Sequence, residues 1–114
     1  MNNVSLKLKH MIITTTEKIP DREIFQILGI ARGSTVRARS IGRDIMAGLK
    51  NIVGGEIEEY TKLQAQSREQ AMQRMIEDAK RLNADAVICV RLTTSMIMQG
   101  ASEILAYGTA VKLK

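Results

Sequence analysis

Apolar and polar residues follow two different periods along this chain, and the switches between them mark out its elements. In Met1–His10, Val4, Leu6 and Leu8 alternate with Ser5, Lys7 and Lys9, the period of a half-exposed strand or of an extension outside the domain. Met11–Thr16, MIITTT, is a β-branched run that predicts a strand, and Pro20-Asp21 marks a turn after it. Glu23–Ile30 predicts a second strand, interrupted at Gly29 and again at Gly33, with Val36–Arg39 resuming it after a bulge or bend. Ser40 can cap a helix over Ile41–Val53, where Ile45, Leu49, Ile52 and Val53 share a face, and Gly54-Gly55 ends it.

The longest periodic stretch is Glu56–Leu82, which contains neither Pro nor Gly. It predicts one helix of about 40 Å at about 1.5 Å per residue. A sphere enclosing a chain of this size is roughly 34 Å across, so the helix is expected to outreach its own domain. Ile57, Tyr60, Leu63, Ala71, Met72, Met75, Ala79 and Leu82 form its apolar arc, with Ile76 at the edge and Gln64 and Arg68 interrupting. The fuller C-terminal half is expected to pack on the chain's own sheet and the sparser first half to meet a neighbouring subunit. Glu58 with Lys62 and Glu77 with Arg81 stand at the spacing of helix ion pairs.

Asn83-Ala84-Asp85 closes this helix. The chain then turns into a predicted strand over Ala86–Thr94, with Ala86, Ile88, Val90 and Leu92 on one face and Val87, Cys89, Arg91 and Thr93 on the other. SMIMQG reads as a connection to a last strand, Ala101–Leu113. In that strand Ile104, Ala106, Gly108 and Ala110 make a small-residue face suited to lie under the long helix. The order β-β-α-α-β-β indicates an α+β domain, an antiparallel sheet covered on one side by a long helix.

Composition narrows the possibilities. The chain has 114 residues, 45% of them hydrophobic, which fits one domain with one core. It has no run of the length needed to span a bilayer and no apolar secretion leader, so the expected location is cytoplasmic. A net charge of +5 favours polyanions weakly. Phe25, Tyr60 and Tyr107 are its three aromatic residues, too few for a stacking platform, so nucleic acid is disfavoured as a partner.

Candidate chemistry is sparse. One cysteine and one histidine give no chelating spacing within a chain. Cys89, Met96 and Met98 are the nearest set of soft metal ligands, although a mid-strand Cys and flexible thioethers more often fill apolar space. Carboxylates of Glu56, Glu58, Glu59 or Glu103 repeated around a symmetry axis would offer a hard-cation site that no single chain contains. Arg32, Arg37, Arg39 and Arg43 surround Gly33, Ser40 and Gly42 just before a helix start. Arg39, Ser40, Gly42 and Arg43 form the candidate anion site there, with free N–H groups beside guanidinium groups. The competing reading pairs these arginines with Asp44, Glu56 or a neighbour's carboxylates. No nucleophile, base and orienting group come together, which argues against an enzyme.

Four blocks of residues resemble a known family: ITTT at Ile13–Thr16, RGSTVRARSIGRDIMAGLKNIVGGEIEEY at Arg32–Tyr60, NADAV at Asn83–Val87 and EILAYGTAV at Glu103–Val111. They are similar to the YbjQ-like proteins over nearly the whole chain from Met11 onward. Residues 11–114 would then be a single YbjQ-like domain and residues 1–10 an N-terminal extension. The resemblance implies a subunit related to the dodecin fold, assembling as a pentameric ring or a decamer, and a family label of heavy-metal binding. The expected function is a ring-forming, non-catalytic homo-oligomer, a scaffold or small-ligand-binding module without a cofactor. Anion binding through Arg32–Arg43 and binding of a metal ion are the alternatives.

Overall fold

The structure is a computed structural model that describes residues 10–37 and 55–114. Its elements are β1 (Ile12–Ile13), β2 (Ile24–Arg37), α1 (Gly55–Arg81), β3 (Ala86–Met98) and β4 (Ala101–Leu113). They form an α+β domain with a four-stranded sheet in the order β1-β3-β4-β2. The helix expected over Ile41–Val53, with its Ser40 cap, lies outside the described residues.

The sheet is mixed, not antiparallel as expected. β2, β3 and β4 pair antiparallel, but β1 joins β3 in parallel, with Ile12 opposite Ala86 and Ile13 opposite Val87. The β-branched run from Met11 yields only this two-residue strand. Past it, Thr14 and Thr16 still accept the N–H groups of Val90 and Cys89, at 3.0 Å each.

β2 is one continuous strand across both glycines. Its irregularities fall between Ile24 and Gln26 and between Ile27 and Gly29, and Gly29 has a φ of 138° that few other residues adopt. Gly33 is instead the seat of the helix. A Cβ there would stand 2.2 Å from the backbone nitrogen of Met75 and 2.6 Å from the carbonyl oxygen of Ala71.

That contact explains the small residues of the core. Ala31, Ala106 and Ala110 on the sheet and Ala71 and Ala79 on α1 are fully buried around Met75, together with Val87, Val90 and Ile104. Small side chains on both layers let the helix backbone come down onto β2, as expected for the small face of the last strand. Met72, Ile76 and Leu82 flank the contact.

Four side-chain bonds fix the helix lengthwise. Asp78 Oδ2 accepts the Arg32 N–H, Arg74 Nη1 donates to the Ser34 carbonyl, Thr35 Oγ1 donates to Gln70 Oε1, and Arg37 Nε donates to Ser67 Oγ. Helix numbers fall as strand numbers rise, so α1 runs against β2. From Arg32 to Arg37 the strand advances about 17 Å at about 3.3 Å per residue. From Ser67 to Asp78 the helix also advances about 17 Å, at about 1.5 Å per residue, which keeps the two elements in step.

α1 ends in a Schellman motif. Asn83 adopts the left-handed conformation (φ 63°), its N–H reaches the Lys80 carbonyl at 2.9 Å, and the Ala84 N–H reaches the Ala79 carbonyl at 3.1 Å. Arg81 pairs with Asp78 at 2.9 Å, three residues back, and not with Glu77 as the spacing suggested.

Two expectations for β3 fail. Cys89 takes a positive φ of 55°, and the register with β4 shifts between Ile88 and Arg91. This bulge exchanges the faces: Val87 and Val90 both join the core beneath α1, while Ala86 and Ile88 pack on the other side with Val111, Leu113, Ile12 and Ile24. Ser95–Met98, expected in a connection, continue the strand, and the hairpin turns on Gln99-Gly100, with Gly100 at a φ of 82°.

Candidate functional site

α1 is set over β2 and β4 and scarcely touches β3. Beside it a cleft of about 600 Å³ opens, lined by Ile13, Thr14, Thr15, Met72, Val90, Arg91 and Leu92. Three features create it: the off-centre helix, the end of β1 after Ile13, and the Cys89 bulge that turns Val90 inward. Arg91 Nη1 donates to the carbonyls of Thr15 at 3.1 Å and Val90 at 2.9 Å, which fixes the guanidinium at the sheet border. Sequence reasoning missed this site, because the alternation placed Arg91 on a strand face and gave no sign of the bulge.

The two borders of the sheet differ. On β2, Arg32, Ser34 and Val36 turn their backbone groups away from β4, and α1 satisfies two of them through Asp78 and Arg74. On β3, Val90 turns outward to Thr14 and Arg91, so Leu92, Thr94 and Met96 share that direction beyond the end of β1. No backbone bond closes those three among the described residues.

The sheet face opposite α1 is bare over much of its area. Ile30 and Val36 are 64% and 54% exposed, and Tyr107 stands exposed between them on β4. At the hairpin tip Met96 is 79% exposed, with Ile97 and Met98 also exposed.

The sequence-derived metal set is not gathered in one place. Cys89, half-buried, sits at the bulge near the start of β3, while Met96 and Met98 sit at its far end. Seven residues of strand put Met96 roughly 20 Å from Cys89. Among the described residues no three His, Cys, Asp or Glu side chains converge as a metal site. Among the described residues of one protomer, Cys89, Met96 and Met98 thus stand too far apart to share one ion. Arg39, Ser40, Gly42 and Arg43 lie outside the described residues. The other two arginines of that run are separated by the pleat: Arg32 is on the bare face opposite Tyr107, and Arg37 is on the helix side against Ser67. His10 lines a second cleft, of about 710 Å³, with Met11, Lys80, Asn83, Ala84, Asp85 and Lys112.

The Asp78 carboxyl is held below its ordinary proton affinity. The Arg32 N–H and the Arg81 side chain stabilise its carboxylate and lower its pKa, against a smaller opposing effect of burial. Its role is structural. No described helix is long and apolar enough to cross a membrane.

Comparison with known proteins accords with this architecture. A DUF74-family protein of unknown function from Pediococcus pentosaceus superposes with a TM-score of 0.60 at 18% identity, covering 91% of this chain and 98% of that one. A UPF0145 protein of Archaeoglobus fulgidus is 61% identical across 93% of this chain and 98% of its own length. One from Methanosarcina acetivorans is 57% identical across 90% and 97%, and one from Vibrio campbellii 59% identical across 90% and 99%. The pattern of the YbjQ family, described as "Putative heavy-metal-binding", matches residues 11–114. With that match and relatives more than half identical along nearly their whole lengths, this chain belongs to the YbjQ family, whose curated relatives carry the name UPF0145.

Proposed function

We propose that the chain is a non-catalytic homo-oligomeric module, a pentameric or decameric ring that serves as a scaffold or holds a small ligand. The observation that carries this reading is the bare face of the sheet. Ile30, Val36 and Tyr107 expose apolar surface there, with Met96, Ile97 and Met98 at the hairpin tip. An exposed apolar sheet face opposite a covering helix is the kind of surface that subunits bury against each other. The outer border of β3 beyond β1, unpaired among the described residues, supports the same reading, because free strand groups invite another chain.

Light scattering of the full chain at micromolar concentration tests it. The expected mass is that of a pentamer or decamer, and the Ile30→Lys/Val36→Lys pair should shift it toward the monomer while circular dichroism stays unchanged. A strict monomer in the unmodified chain would overturn the reading.

A further inference from the structure

We propose that the cleft between α1, the end of β1 and β3 binds a small amphipathic organic acid, whose carboxylate is taken by Arg91. This deepens the ligand-holding part of the proposed function. The cleft is formed within one protomer, so it stands or falls separately from assembly.

The lining divides by chemistry. Ile13, Met72, Val90 and Leu92 supply an apolar wall, Thr14 and Thr15 border it, with the Thr14 hydroxyl already bonded to Thr16, and Arg91 is the one charged residue among the described lining. A volume of about 600 Å³ lies within the usual range of small-molecule sites.

Arg91 is arranged for recognition. Both of its hydrogen bonds use Nη1, which leaves the Nε–Nη2 edge of the fork without a partner among the described residues. That edge presents two parallel N–H groups, the geometry that a carboxylate accepts in a bidentate pair. Because two carbonyls hold the guanidinium in place, little side-chain freedom remains to be lost on binding.

The same inventory selects the ligand class. Among the described residues no acidic side chain lines the cleft to neutralise Arg91, and no second cation lines it to balance a phosphate dianion. A monocarboxylate matches one guanidinium. The apolar wall calls for an alkyl or aryl body attached to it.

The test titrates the full chain with sodium octanoate and, separately, with octanol, following methyl NMR signals of Ile13, Met72, Val90 and Leu92. Saturable shifts of these methyls are expected, with octanoate at least about tenfold tighter than octanol, the worth of a charge-assisted hydrogen bond. Arg91→Gln should remove that preference and leave octanol binding as it was. Leu92→Glu, at a half-exposed position, should weaken octanoate about tenfold by placing a like charge beside it. Equal affinities in the unmodified chain, or shifts confined to other methyls, would overturn the proposal. So would a preference that survives in Arg91→Gln, since Arg91 would then only fasten the sheet border. If Arg91→Gln does not fold, octanoate binding undiminished in Leu92→Glu overturns it instead. Light scattering on the same samples separates the two readings: a monomer that prefers octanoate removes the ring and keeps the cleft, and an oligomer without the preference does the reverse.

Discussion

Oδ2 of Asp78 accepts the backbone N–H of Arg32 at 3.0 Å, so a helix carboxylate closes an outward-facing donor on the border strand. Arg74 does the same for the neighbouring Ser34 carbonyl at 2.6 Å. A border shielded in this way is a poor template for stray pairing.

Asp78→Ala should destabilise the domain by about 1 kcal/mol, the worth of a charged hydrogen bond discounted for partial exposure. The folded carboxyl has a lowered pKa, so its contribution is complete above the ordinary Asp value of about 3.9 and is lost as pH falls through the lowered value. Urea unfolding from neutral pH downward should show a shallower acid loss for the variant than for the parent. Parallel curves would contradict this assignment.

Gly33→Ala is expected to cost about 2 kcal/mol or more, because the added methyl meets the helix backbone of Ala71, Arg74 and Met75 and no flexible side chain can give way. Thermal melts read the cost directly. An unchanged midpoint would mean that α1 does not rest on β2 there.

Proline separates the two directions along β3. Thr94→Pro removes an N–H that points away from β4, and it should reduce oligomer mass while changing stability by less than about 1 kcal/mol. Thr93→Pro removes one directed at Leu105 and should disrupt the hairpin. Light scattering and circular dichroism on both variants check the contrast.

Elemental analysis after challenge with copper(I) or zinc and exhaustive dialysis should find well under one equivalent per protomer, with no change in Cys89→Ser. Stoichiometric retention that is lost in Cys89→Ser would show that other copies complete a site around this thiol.

What the sequence disclosed follows from how local each signal is. The 27-residue α1 lacks Pro and keeps a 3.6-residue apolar period through its C-terminal half, and the small face of β4 announced the helix above it. Cys89 shows the limit. Its left-handed backbone lies where β3 is paired on both sides, and because Ala86–Val90 is apolar on both faces no polar residue marks the change of face. Gly33 read as a break because a missing side chain looks the same whether a strand bends or a helix presses on it. The cleft stayed hidden for a related reason: it depends on where α1 sits across the sheet, and periodicity says which face a residue is on but not where along the sheet a helix lies.

The matched climb of α1 and β2 works as a vernier. A helical turn repeats at about 5.4 Å and a strand at about 6.7 Å for each pair of residues, so a helix displaced by one notch finds none of its four partners again. Sliding is therefore penalised at every intermediate position, and any signal reaching this layer from a neighbouring copy would have to move helix and strand together as a single strut.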